Sequence, residues 1–179
     1  MIFEQESNMP RYVLTGGPCV GKTTVLKLLD TYGFGVLTET AREIIEEQNA
    51  AEGTLVPWIR PGDFQKAVAW RQWKKELFAP VEKPLFLDRG MIDACGYAAL
   101  EEVPVPRIIN LFGCGRYEKI FLLEELPFYE NDDSRKEDRV FGQKVSEEIR
   151  KAYIAYGYRV IFVPFLPPEE RVDFILANL

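Results

Sequence analysis

Residues 16–23 (GGPCVGKT) constrain this chain more than any other segment, because they match the pattern G-x-x-x-x-G-K-[ST] at every fixed position. The glycines of such a segment let successive backbone N–H groups turn toward phosphate oxygens, and a following helix adds the positive end of its dipole. An apolar strand at 12–15 precedes the segment, and a helix with Val25, Leu28 and Leu29 on one face follows it. The sequence therefore predicts a phosphate-binding loop whose nucleotide contacts are Gly16, Gly17, Pro18, Cys19, Val20, Gly21, Lys22, Thr23 and Thr24.

Short apolar strands alternate with helical patterns along the rest of the chain. Strands are predicted at 34–38, 84–88, 119–123 and 159–163, with helices between them and a last helical stripe ending at residue 179. Continuous apolar strands separated by helices are typical of βαβ units, so we expect an α/β fold whose parallel sheet is covered by helices on both faces. Residues 1–10 are interpreted as a polar tail and 11–179 as a single domain.

Composition narrows the classes of function. The 179 residues are 47% hydrophobic, which suits one globular domain, and the net charge of -6 argues against nucleic acid as a partner. The absence of histidine excludes Ser-His-Asp catalysis and histidine-ligated zinc. Three scattered cysteines indicate reduced thiols, and the apolar runs are too short for a membrane span. We expect a cytoplasmic protein without membrane insertion.

Charged side chains follow several of the predicted strands. In open α/β sheets, ligands bind outside the carboxyl ends of the strands, and Glu39, Asp88 and Arg89 all stand at such ends. Asp88 is predicted to support Mg²⁺ together with Thr23, the alternative being an N-cap for the next helix. Arg89 is a candidate clamp for phosphate or substrate, or else a member of an ordinary ion pair.

Two further carboxylates belong to the same edge of the sheet. Glu39 could accept the proton of an attacking hydroxyl or hold a substrate hydroxyl, and it could equally complement the dipole of the helix that follows. Asp93, one turn beyond Asp88, is a second candidate carboxylate, for which we favour a solvated position on a helix.

A charged segment at about 124–139 separates the fourth strand from the next helix. Its position suits a lid that closes Arg135 and Arg139 over a transferring phosphoryl group. A solvated loop would look similar, because four acidic residues flank these arginines: Asp132, Asp133, Glu137 and Asp138.

Motifs of other nucleotide-binding classes are absent. No asparagine is followed by lysine, so the N-K-x-D pattern that reads guanine in GTPases is missing. Asp88 is followed by Arg89-Gly90-Met91 and not by the D-x-x-G spacing of a GTPase switch. These absences favour a small kinase with ATP as its nucleotide.

Five segments resemble a known family. They are GGPCVGKTT (16–24), ETAREII (39–45), FLDRGMIDACGY (86–97), LPFYENDDSRKED (126–138) and RVIFVPFLPPEERVDFIL (159–176). They are similar to the small AAA-type P-loop ATPase/kinase-like family that includes the ribosylnicotinamide kinase domain of the bacterial NAD-biosynthesis regulator. The resemblance implies a three-layer P-loop NTPase fold of the nucleoside/nucleotide-kinase type, with five parallel strands in the order 2-3-1-4-5 and Mg²⁺-dependent ATP binding.

The resemblance also implies roles for particular residues. Lys22 and Thr23 would hold phosphate and Mg²⁺, Asp88 would support the metal, and Arg135 and Arg139 would belong to the lid. The leading hypothesis is an enzyme that transfers the γ-phosphoryl group of ATP to a small hydroxylated acceptor such as a nucleoside or nucleotide. The alternative hypothesis is a binding protein gated by ATP or GTP, with little or no kinase activity.

Overall fold

The computed structural model of the chain describes residues 9–80, 82–125 and 135–179, with backbone alone for 135–139. Its strands are β1 (Arg11–Thr15), β2 (Gly35–Leu37), β3 (Leu85–Asp88), β4 (Lys119–Leu123) and β5 (Val160–Val163). They form one sheet in the order β2-β3-β1-β4-β5, and every neighbouring pair is parallel. The predicted fold class and strand order are thus confirmed. Most of the predicted N-terminal tail lies outside the described residues.

The helices lie where the apolar periodicity predicted them, apart from the start of one. Those described are α1 (Lys22–Thr31), α2 (Thr40–Ala50), α3 (Pro61–Leu77), α4 (Asp93–Leu100), α5 (Arg107–Phe112), α6 (Arg135–Ala155) and α7 (Pro168–Leu176). None of the helices in these ranges is long and apolar enough to cross a membrane.

Each face of the sheet carries its own apolar core. On one face, side chains such as Val13 and Leu87 pack in a cluster with Ile149 and Tyr153 of α6. On the other face, the alternate strand residues pack in a second cluster with the apolar stripes of α1 and α7. Because successive side chains of a strand point to opposite faces, burial on both sides explains why these strands are apolar at nearly every position.

The start of α6 differs from the sequence prediction. The helix begins at Arg135, so the backbones of Arg135 and Arg139 are helical, whereas we predicted a loop as far as residue 138. Residues such as Arg, Lys and Glu favour helices, and a strongly charged first turn has no apolar stripe to reveal its period. The lid interpretation for residues 126–134 lies outside the described residues, as do the side chains of Arg135 and Arg139.

Candidate active site

The phosphate-binding loop lies between β1 and α1, at the carboxyl edge of the sheet. Gly21 adopts a left-handed conformation (φ 86°) at the point where α1 begins. Lys22 is buried, and its Nζ donates a hydrogen bond to the carbonyl oxygen of Gly17 at 2.8 Å. Burial, followed by the charge of Arg89, lowers the pKa of Lys22 to about 8, although Asp88 opposes the shift. The charged form of Lys22 is therefore disfavoured in the ligand-free site, and the negative charge of a bound phosphate would stabilise it.

Thr23 and Asp88 form the candidate metal site. The Thr23 hydroxyl lies 3.4 Å from Asp88 Oδ2, while Asp88 Oδ1 is buried and has no hydrogen-bond partner among the described residues. Burial raises the pKa of Asp88, and neighbouring carboxylates add to this effect, whereas Lys22 and Arg89 oppose it. A desolvated carboxylate with an unsatisfied oxygen fits a hard cation such as Mg²⁺, which takes one or two carboxylates and completes its shell with phosphates and water.

Two further observations concern this site. The described residues contain no group of three or more Cys, Asp and Glu side chains that could hold a metal ion. Asp88 does not act as the N-cap of the next helix, because α4 begins at Asp93 and its N-cap position is Ile92.

Arg89 connects the end of β3 to three neighbouring elements. Its Nε donates to Glu39 at 2.8 Å, and its Nη1 donates to the Gly16 carbonyl at 2.8 Å and to Asp93 at 3.1 Å. The guanidinium carbon lies 5.3 Å from the centre of the Tyr97 ring. Burial alone would lower the pKa of Arg89, but the charges of Tyr97, Asp93 and Glu39 raise it further above its usual value. These contacts are the ion pairs that one of the two interpretations of Arg89 predicted.

Glu39 lies at the N-cap position of α2, where its side chain makes no capping hydrogen bond. Burial would raise the pKa of Glu39, but its charge and hydrogen-bond interactions with Arg89, followed by the charges of Lys22 and Arg42, lower it below the usual value. The carboxylate is therefore ionised at neutral pH and fixed at the edge of the phosphate loop. It is a weak base that can orient a hydroxyl and accept its proton as that hydroxyl reacts.

Asp93 contradicts the solvated position that the sequence suggested. Its carboxylate is buried and accepts hydrogen bonds from Thr15 at 2.5 Å, Tyr153 at 2.6 Å and the Gly90 backbone at 3.0 Å, besides the Arg89 contact. The prediction was wrong because two of these partners, Thr15 on β1 and Tyr153 on α6, come from elements that are distant in sequence. Because these hydrogen bonds hold the Asp93 carboxylate, its contact with Arg89 Nη1 fixes the position of the guanidinium group.

Sequence reasoning also missed a buried polar network behind Arg89. Gln72 of α3 accepts a short hydrogen bond from Thr40 and donates to the Arg89 carbonyl at 3.2 Å and to Glu76 at 3.0 Å. Glu76 is fully buried and pairs with Arg116 at 2.7 Å. The only signal in the sequence was a glutamine and a glutamate among the apolar positions of a helix.

Two more residues reach the phosphate loop from the C-terminal half of the chain. Ser146 Oγ accepts a hydrogen bond from the Gly17 backbone N–H at 2.7 Å. Arg171 of α7 is buried and donates to the Val20 carbonyl at 2.7 Å, and its Nε has no partner among the described residues. Burial lowers the pKa of Arg171, an effect that Glu124 opposes. A charged residue beside the apolar stripe of α7 was a weak signal for this contact.

These groups open into one cleft of about 660 Å³. One end is formed by residues 18–24 of the phosphate loop, and the walls are formed by α2, α3 and α4. Glu39 and Arg89 lie between the loop and these walls. The structure thus brings together the predicted loop residues, Glu39, Asp88 and Arg89, and the cleft continues from the loop between the three helices.

Comparisons with known proteins identify a family and structures with a similar fold. A family described as "AAA domain" matches residues 11–171. No curated protein matches the chain. Two solved structures of NadR are similar, one in complex with NR (TM-score 0.64, 17% identity) and one with NAD and AMP-PNP (TM-score 0.67, 20% identity).

The similarity covers 94% of this chain in both cases, and the chain spans about half the length of the NadR chains, 50% and 49%. Shikimate kinase from Aquifex aeolicus is also similar, with a TM-score of 0.53, 20% identity and coverage of 94% of this chain and 95% of that one. At these identities the structural matches show the fold, an α/β P-loop fold, and nothing more. Since the family match spans nearly the whole chain, the chain belongs to the AAA-domain family.

Proposed function

We propose that the protein is a Mg²⁺-dependent phosphotransferase that moves the γ-phosphoryl group of ATP to a hydroxyl of a small acceptor in the cytoplasm. The observation that carries this proposal is the continuity of the cleft: the phosphate loop forms one end, and a walled volume lies beyond Glu39 and Arg89. A nucleotide-binding protein without an acceptor has no need for such a volume on the far side of its phosphates. The binding of AMP-PNP by NadR supports ATP as the donor.

On the donor side, the loop amides and Lys22 would bind the β- and γ-phosphates. Thr23 and Asp88 would hold Mg²⁺, which when bound neutralises charge on the phosphate oxygens. Arg135 and Arg139 remain our candidates for lid residues that neutralise the equatorial oxygens, because they belong to the charged segment that follows the fourth strand.

On the acceptor side, Glu39 would orient the hydroxyl and accept its proton. The oxygen of the acceptor forms a bond to the γ-phosphorus as the bond from that phosphorus to the β,γ-bridging oxygen breaks, and ADP leaves. Arg89, which pairs with both Glu39 and Asp93, would hold the Glu39 carboxylate in position during this step. Catalysis of this kind consists of positioning and electrostatic stabilisation.

The test is phosphoryl transfer from γ-labelled ATP to a panel of nucleosides and nucleotides, starting from nucleotide-free protein. Lys22→Ala is expected to abolish product, because the β- and γ-phosphates lose their ammonium partner. Glu39→Gln keeps a hydrogen-bond acceptor for Arg89 and is expected to spare ATP binding while transfer falls by about 10²–10⁴-fold. Glu47→Gln, an exposed change on the same helix, serves as the control. Undiminished transfer by Glu39→Gln would remove Glu39 from the chemistry.

One contact favours a nucleotide-gated binding protein as a second candidate function. The Gly17 amide donates to Ser146 of α6, so a phosphate that takes this amide would release a contact between the loop and the helix. The two candidates differ in one measurement, which is the dependence of ATP consumption on an acceptor. Consumption that rises to about one turnover per second or more only with acceptor supports the kinase, whereas tight ATP binding with no product supports the gated protein.

A further inference from the structure

Helices α3 and α4 run antiparallel along the cleft and form its floor. Gln72 contacts the Arg89 carbonyl just before α4, whereas Gln65, two turns earlier in α3, contacts Glu101 at the other end of α4. On both helices the lining includes residues spaced four apart, with Gln65 and Ala94 beside them: Phe64, Val68 and Gln72 on α3, and Asp93, Tyr97 and Glu101 on α4 and its C-cap. Eight residues of helix span about 12 Å, so the floor is an elongated strip.

The two ends of this strip differ in chemistry. The end at Gln72 and Asp93 adjoins Arg89 and the phosphate loop, where the reacting hydroxyl of an acceptor would lie. The far end carries the carboxylate of Glu101, which accepts hydrogen bonds from the buried amide of Gln65 at 3.0 and 3.3 Å. Between the ends, Val68 and Tyr97 present apolar and aromatic surface, and Phe64 adds to it at the far end.

Among the described residues, the hydrogen-bond donor to the Glu101 carboxylate is a neutral amide and not a positively charged side chain. In the described ranges of the chain no lysine or arginine forms an ion pair with it, and the Gln65 amide is its hydrogen-bond donor. Burial raises the pKa of Glu101, and the hydrogen bond from Gln65 opposes this shift. A ligand that covers this carboxylate must supply N–H donors or positive charge, since otherwise it would bury an unsatisfied anion.

Building on the proposed function, we propose that the acceptor is an elongated, nucleoside-sized molecule whose end remote from the reacting hydroxyl carries N–H donors or positive charge, bound there by Glu101 and Gln65. The aromatic and aliphatic middle of the strip suits a flat ring between that end and the hydroxyl. A carbonyl oxygen at the remote end would face the carboxylate and be disfavoured. Glu101 is thus a specificity-determining residue of the acceptor site.

Matched pairs of nucleosides test this inference, because the members of a pair differ only at the remote edge of the base. Cytidine and adenosine carry an amino group there, whereas uridine and inosine carry an oxo group beside a ring N–H. The oxo members therefore keep one donor but place a carbonyl oxygen next to the carboxylate. We expect kcat/KM with ATP to favour the amino member by about tenfold or more. In Glu101→Gln the side-chain amide can both donate and accept, so the preference is expected to fall below about twofold. Glu102→Gln, at the exposed neighbouring position, should retain it.

Calorimetric titration of the same nucleosides into protein saturated with AMP-PNP separates this inference from the proposed function. Phosphoryl transfer without an amino preference, or with a preference that Glu101→Gln leaves intact, would overturn the inference and leave the kinase standing. Binding of the amino members that depends on Glu101 without any transfer would support the inference and overturn the kinase. A protein that neither binds nor phosphorylates the amino members overturns the inference as well.

Discussion

At the residue scale, we expect the charge of Lys22 to make nucleotide binding depend on pH. Its pKa of about 8 in the ligand-free site should rise when phosphates surround it, so ATP binding is coupled to proton uptake above that pH. Because the bound state holds more protons, affinity should fall as pH rises through 8, by up to about tenfold per pH unit. Calorimetry at pH 8.5 in buffers of different ionisation enthalpy would measure the uptake. Lys22→Arg stays protonated and should abolish it, and undiminished uptake in that variant would assign the proton to another group.

Asp93 makes a second residue-scale prediction, on stability. Asp93→Asn keeps the size of the side chain but removes the charge that pairs with Arg89 and places an NH₂ group among hydrogen-bond donors. Breaking one side of a buried ion pair costs about 3–5 kcal/mol, so the free energy of unfolding should fall by that amount in urea. Tyr153→Phe removes one of the four hydrogen bonds to the carboxylate and should cost about 1 kcal/mol. Equal losses in the two variants would contradict the central position of Asp93.

The sequence revealed some of these residues and hid others, for a physical reason. The glycines and lysine of the phosphate loop and the carboxylate after β3 follow from local chemistry, because their spacing along the chain is what creates the loop. Asp93 and Gln72 act through partners that are distant in the sequence: Tyr153 is 60 residues from Asp93, and Thr40 is 32 from Gln72. One-dimensional periodicity carries no information about such contacts.

At the element scale, the contact between α4 and α6 depends on glycine at position 96. A Cβ at Gly96 would lie 2.7 Å from the backbone nitrogen of Ile149, which side-chain motion cannot relieve. Gly142, near the start of α6, would place its Cβ 3.5 Å from the nearest atom, Cδ of Pro18, an ordinary contact. A comparison of alanine at the two positions therefore distinguishes the effect of helix packing on stability from the effect of helix propensity.

Alanine at these two positions should therefore change stability in opposite directions. Gly96→Ala is expected to cost about 1–3 kcal/mol because the helices must move apart. Gly142→Ala is expected to gain up to about 1 kcal/mol from the better helix propensity of alanine. Chemical denaturation of the two variants measures both changes, and a stabilising Gly96→Ala would mean that α4 and α6 pack less closely than the structure shows.

The elements themselves were the most predictable level of the molecule. The strands and most helices followed from apolar runs and period, since burial on two faces demands continuous apolar strands. The start of α6 did not follow, because a charged first turn is compatible with a loop or a helix. The strand order came from the family resemblance, since no apolar pattern states which strands are neighbours.

At the scale of the whole molecule, Asp88 lowers the stability of the ligand-free fold, a cost that metal binding at the candidate site should offset. The pKa of this carboxylate is raised, so its ionised form at neutral pH is less favourable in the folded state than in the unfolded one. Mg²⁺ bound with ATP would reverse this cost by satisfying the buried Oδ1. Asp88 is therefore placed to make the fold respond to the metal–nucleotide complex.

Thermal unfolding of Asp88→Asn tests whether this carboxylate lowers the stability of the ligand-free protein and whether Mg²⁺ with ATP offsets that cost. Without ligands the variant should be more stable than the wild type at pH 7, because a desolvated charge has been removed. With ATP and Mg²⁺ at about 100 times the dissociation constant, the wild type should gain about 2.7 kcal/mol, a Tm increase of about 5–10 °C. Asp88→Asn should keep the Tm increase that ATP alone produces and lose the Mg²⁺-dependent part. The control variant is Asp173→Asn, on the exposed face of α7, which should behave as the wild type. A full Mg²⁺-dependent increase in Asp88→Asn would place the metal on other ligands.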